Sequence, residues 1–100
     1  MDKYNVKLQE RVLETLDKIY GNIADDFKEI DAAENIANTL DNAIMSLEEF
    51  PQRGAERKTG AYARRGYRQL FVKCFTIVYR IDEIKKHVVI VSVRYASSNF

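Results

Sequence analysis

Residues 66–95 read GYRQLFVKCFTIVYRIDEIKKHVVIVSVRY. Tyr, Phe, Ile, Val and Thr crowd this run, as strands favour. Phe75, Ile77, Tyr79 and Ile81 alternate with Thr76, Val78, Arg80 and Asp82. That period of two gives a strand one apolar face and one mixed face. Asp82-Glu83-Ile84-Lys85-Lys86 is a polar break, and Val88–Val93 is then nearly all apolar, as in a central strand covered on both faces. The spacing predicts two antiparallel strands with a short turn, preceded by a third strand over about Tyr67–Val72.

Upstream, Gln52–Arg65 has no hydrophobic periodicity and reads as a loop into the sheet. Before it, Ala33, Ile36, Ala37, Leu40, Ile44 and Leu47 form one helical stripe. Asp31 can accept the free amides of that helix's first turn, Glu34 completes a capping-box-like pair, and Pro51 ends the helix near Glu49. Val12, Leu13, Leu16, Ile19, Tyr20, Ile23 and Phe27 mark an earlier helix over about Gln9–Phe27. Gly21 inside it costs up to ~1 kcal/mol relative to Ala, which allows a kink or an early end near Tyr20. Tyr4–Leu8 alternates apolar and polar and reads as a short first strand. The two helices form an antiparallel hairpin whose apolar stripes need a sheet face to bury against. The fold class is α+β: an N-terminal strand, a two-helix hairpin and a three-stranded antiparallel meander, β-α-α-β-β-β, in one domain over residues 1–100.

One hundred residues, 46% hydrophobic and 31% charged, suit one small soluble domain. No apolar run approaches the ~18 residues of a membrane span, and Met-Asp-Lys-Tyr opens no signal-peptide core. Cys74 is the only cysteine, which excludes an intramolecular disulfide and points to a reducing cytoplasm. The net charge of +1 hides a split. Residues 1–50 carry five Lys/Arg against twelve Asp/Glu, net −7, and residues 51–100 carry eleven against three, net +8. Two readings stand: a basic face for an acidic partner, or acidic surface helices beside strands whose Lys and Arg block aggregation.

His87 and Cys74 have no partners at metal-site spacing, so no metal or cofactor is expected. His87 reads as a solvated strand-end histidine and Cys74 as a small buried or half-buried thiol. No Gly-rich phosphate loop or nucleophile–base motif appears. Arg53, Arg57, Lys58, Arg64, Arg65 and Arg68 fall within sixteen residues, opposed by Glu56 alone. Guanidinium forks suit phosphates and carboxylates, and Tyr62 and Tyr67 could stack on bases. The alternative is a solvated loop.

Three segments together resemble the RelE/ParE toxins of bacterial type II toxin–antitoxin modules, which include plasmid-stabilisation systems. They are Ser46–Gly54 (SLEEFPQRG), Tyr67–Asp82 and Val88–Tyr95. The resemblance runs nearly end to end. It implies a toxin neutralised by a cognate antitoxin, working in the cytoplasm without membrane contact, as a homodimer or in a toxin–antitoxin hetero-oligomer. Two modes exist in the family. RelE-like members cut ribosome-bound mRNA without a metal, using arginines and a Tyr or His on the sheet. ParE-like members poison DNA gyrase by binding it. Arg68, Arg80 and Tyr95 are the candidate catalytic residues of the first mode. Arg53, Arg57, Lys58, Arg64, Arg65 and Arg94 make up the candidate basic binding surface. Thr76 stands where a RelE-like catalytic arginine is expected, and the relatives' LYGRRD ending is here Arg94-Tyr95-Ala96-Ser97-Ser98-Asn99, both arginines replaced by serine. The depleted set favours the ParE-like mode, with mRNA cleavage or a degenerate, antitoxin-binding module as alternatives.

Overall fold

A computed structural model describes residues 3–27, 30–58, 66–73 and 75–95. The meander forms where the alternation places it, as β3 (Tyr67–Val72), β4 (Phe75–Asp82) and β5 (His87–Tyr95). Tyr67 pairs with Arg80 and Val72 with Phe75 across β3 and β4. Phe75 pairs with Tyr95 and Asp82 with His87 across β4 and β5. At the β4–β5 turn, the amides of Ile84 and Lys85 each donate to Asp82 Oδ1 at 3.1 Å. Those bonds, from Lys85 first, hold the Asp82 carboxyl below its ordinary value.

The other elements are β1 (Asn5–Leu8), α1 (Glu10–Phe27), α2 (Ile30–Ser46) and a two-residue β2 (Ala55–Glu56). The sheet order is β1-β5-β4-β3-β2. β1 runs parallel to β5, Asn5 pairing with His87 and Leu8 with Ile90. β2 falls within the stretch whose lack of periodicity predicts a loop. Two residues are too few to show a period, yet the tertiary fold brings Ala55 and Glu56 against Gln69 and Arg68 as an edge strand. α1 passes through Gly21 without ending. α2 stops at Ser46, three residues before the expected Glu49, and Leu47–Glu49 form a turn whose amides reach back to Ile44, Met45 and Ser46. The side chains of Ile23, Phe27, Asp31 and Ala33 lie outside the described residues, as does Cys74.

The helical hairpin covers one sheet face. Val12, Leu16 and Ile19 of α1 and Leu40, Ile44 and Leu47 of α2 form one core with Leu70, Val72, Phe75, Ile77, Tyr79, Val88, Ile90 and Val93. At about 25 cal/mol per Å² of apolar surface removed from water, side chains such as Leu40, Phe75 and Ile77 at 0% exposure dominate stability. β5 keeps its apolar side chains on this face by a bulge. Val78 pairs with Ser92 but Tyr79 with Ile90, so Val91 is an extra residue. The side-chain parity thus shifts between Ile90 and Val93. No described helix is long and apolar enough to cross a membrane.

Candidate functional site

The strand register sorts the candidate residues between the two sheet faces, because residues opposite one another share a face. On the outer face, away from the helices, Phe71, Thr76 and Arg94 form one row. Gln69, Val78 and Ser92 form the next, and Tyr67, Arg80, Val89 and Lys7 the third. Arg80 and Arg94 are exposed here. Four residues of strand separate Thr76, the neighbour of Arg94, from Arg80, roughly 13 Å of rise. Arg57 is buried, and its Nη1 donates to Gln69 Oε1 at 2.9 Å. Its amide donates to the Tyr67 carbonyl at 2.9 Å. Lys58 is exposed beyond it. The mixed face is not simply solvated, for Thr76 is 3% exposed and Val78 fully buried.

Arg68 stands on the other face, in step with Leu70 and Val72. Its Nε donates to the Gly54 carbonyl at 3.0 Å and its Nη2 to the Gln52 carbonyl at 3.3 Å. Tyr79 completes this clamp from β4. Its hydroxyl donates to the Pro51 carbonyl at 2.7 Å and accepts from the Gly54 amide at 3.0 Å. Arg53 Nη1 donates to Ser46 Oγ at 2.6 Å, and that hydroxyl donates to the Ala43 carbonyl at 2.6 Å. The Phe50–Gly54 segment is therefore tied to the sheet and to the end of α2. Tyr95 is half-exposed on the helix-side parity, its ring 4.9 Å from that of Phe75 and tilted by 35°.

The structure thus brings Arg80, Arg94 and Lys7 to one face and leaves Arg68 and Tyr95 on the other. Arg53 is engaged at the end of α2. Arg64 and Arg65 lie outside the described residues, with Tyr62, Ser97 and Ser98. Among the described residues, no three His, Cys, Asp or Glu side chains group closely enough to hold a metal ion.

Residues 6–100 match the family described as the ParE toxin of type II toxin–antitoxin systems, parDE. The chain belongs to the ParE toxin family. Similar solved structures share the fold at low identity. A chromosomal ParDE system from P. aeruginosa is 18% identical, with TM-score 0.74 over 93% of this chain and 96% of that one. The RelBE2 toxin–antitoxin complex from Mycobacterium tuberculosis is 20% identical, with TM-score 0.64 over 93% and 98%. A mutant E. coli RelE in the free state is 18% identical, with TM-score 0.61 over 95% and 85%. No curated protein matches the chain.

In this ParE-family toxin the sequence reading missed Tyr79 and Gly54 as a hydrogen-bonded pair that anchors the Pro51–Gly54 segment. One signal was present. Tyr79 is the only hydroxyl-bearing side chain on the apolar face of β4, and a buried phenol needs a partner. Arg68 gave a similar signal, since its parity with Leu70 and Val72 turns it towards the core side rather than the outer face.

Proposed function

We propose that this toxin acts by holding its target rather than by cutting RNA, and that the target is DNA gyrase. One observation carries the reading: the residues that could make a RelE-like catalytic set are divided between two faces of the sheet. Arg68 is committed to two backbone carbonyls, and Tyr95 stacks near Phe75. Arg80 is left on the outer face, two rows from a buried Thr76 that carries no charge. Removing one donor to a developing anionic charge typically costs ~10²–10³ in rate. A binding mode needs no such convergence. Arg80 and Arg94 on the outer face, and the exposed Lys58, are then contact residues, and the protein works as a single domain in the cytoplasm. A cognate antitoxin neutralises it.

The mRNA-cleaving reading retains one specific support. Arg80, Tyr67 and Lys7 share a row on the exposed side of the sheet. A ribosome-programmed cleavage assay mapped by primer extension, run beside a gyrase supercoiling assay, separates the two. Inhibited supercoiling without cuts is expected. Defined cuts that vanish in Arg80→Ala overturn the proposal.

A further inference from the structure

Helix α1 sorts its charges by stripe. Glu10, Glu14 and Asp17 recur at helical steps, which sets them on one side, and all of them are exposed. Arg11 and Lys18 are the only cations in the sequences of the two helices. They fall on a different stripe, with Thr15, along a groove of about 360 Å³ shared with β5. On α2, Glu34, Asp41 and Met45 share an exposed stripe, which the half-exposed Glu48 continues in the turn that follows.

Tyr20 shows that the two stripes meet. Burial first, then the charges of Asp41 and Asp17, raise the pKa of its hydroxyl, so a carboxylate from each helix lies near it. That hydroxyl is buried without a hydrogen-bond partner among the described residues. Two large apolar side chains stand exposed among the carboxylates, Leu13 at 51% and Met45 at 50%. Packed helix axes lie roughly 8–10 Å apart, a spacing between the ~6 Å and ~12 Å widths of the two DNA grooves.

We propose that this face of the hairpin, anionic with an apolar centre, docks on the basic DNA-binding surface of the protein that the toxin holds, in the place of DNA. A surface that takes DNA presents Lys and Arg to phosphates, and two rows of carboxylates meet the same charges. Leu13 and Met45 add an apolar contact that phosphates lack. The inference rests on the proposed function for the identity of the target, and adds a second contact face on the other side of the sheet from Arg80 and Arg94. A second copy of this chain, offering its basic outer face, is a poor occupant, because such head-to-tail contacts leave both ends open and grow without limit.

The test uses the full chain and the gyrase holoenzyme. Glu14→Lys and Asp41→Lys are each expected to weaken inhibition of supercoiling about tenfold or more, with unchanged circular dichroism, since both sites are exposed. Binding of the wild type to the holoenzyme is expected to fall as salt rises and as a linear duplex DNA is added. Ile84→Ser is expected to inhibit as the wild type does. Undiminished inhibition by both charge reversals, or binding that duplex DNA does not displace, overturns the inference and leaves the gyrase reading standing. A wild type that leaves supercoiling untouched yet arrests growth, with arrest lost in both reversals, overturns the gyrase reading and keeps this face. A wild type that neither inhibits nor arrests growth overturns both. Sedimentation that shows self-association of the wild type, abolished by either reversal, assigns the face to a second copy and overturns the inference.

Discussion

The Tyr79 hydroxyl and the Gly54 backbone leave each other no spare room. The Gly54 amide donates to that hydroxyl at 3.0 Å, and a Cβ on Gly54 would stand 2.6 Å from it and 2.5 Å from the Gln69 carbonyl. Only glycine fits, and only a side chain with a hydroxyl at this reach bridges Gly54 to Pro51. Tyr79→Phe is expected to cost about 1–3 kcal/mol by leaving two buried backbone groups unpaired. Gly54→Ala is expected to cost about 1–3 kcal/mol through overpacking. Denaturant midpoints check both, and an unchanged midpoint for Tyr79→Phe would remove the clamp from the account of stability.

Tyr20 presents the opposite case. Its hydroxyl is buried with no hydrogen-bond partner among the described residues. Burial first, then the charges of Asp41 and Asp17, push its pKa up, so the phenol stays neutral. Tyr20→Phe is expected to raise stability by about 1 kcal/mol, because it removes an unsatisfied group without changing the ring. Thermal unfolding of the two proteins side by side decides it.

Gly21 lies exposed within α1, and an added Cβ there meets nothing within 4 Å. Gly21→Ala is expected to stabilise by roughly 0.5–1 kcal/mol through helix propensity. A loss of helical circular dichroism in the variant would show that the glycine serves a local geometry instead.

Leu40 and Ile77 are both 0% exposed, one on each side of the helix–sheet core. Leu40→Ala and Ile77→Ala are each expected to cost about 2–5 kcal/mol. Ile84, 95% exposed at the hairpin tip, is the control, and Ile84→Ser is expected to stay within ~0.5 kcal/mol of neutral. Urea midpoints of the three variants test the contrast.

The Asp82 carboxyl is held below its ordinary pKa by the Lys85 amide first, and by that of Ile84. A depressed carboxylate pKa contributes stability above the unfolded value and loses it as pH falls through the folded value. The effect is small, because the group is exposed. An NMR titration of the Asp82 carboxyl is expected to show its midpoint below the usual aspartate range. Asp82→Asn is expected to flatten the acid limb of the stability profile. A midpoint in the ordinary range would mean that the turn bonds do not persist in solution.

Much of the fold was legible in the chain. β3 and β4 coincide with their predicted limits, since β-branched and aromatic residues recur with period two between Gly66 and Asp82. β5 extends one residue earlier and two later than the apolar run. The ends exceed the run because pairing to β4 continues through His87, Arg94 and Tyr95, and the polar His87 and Arg94 interrupt the hydrophobic signal. The bulge could not be read, because Val91 is as apolar as its neighbours and only strand pairing reveals that it is extra. The candidate site was less legible. Composition counts Arg68, Arg80 and Arg94 alike, while register sends one to the core side and two to the outer face.

The parallel pairing of Asn5–Leu8 with His87–Ile90 also has a consequence in time. A ribosome makes β1 before the helices and β5 after β4. The α1–α2 hairpin can form early from local contacts, but β1 has no partner until β5 has been synthesised. Such long-range closure is slow relative to helix formation. Between the making of β4 and the emergence of β5, the nascent chain therefore carries an incomplete sheet that lacks its central strand. A truncated translation product ending before β5 lacks the central strand that joins β1 to β4. Premature termination would thus yield an unfolded fragment rather than a shortened toxin.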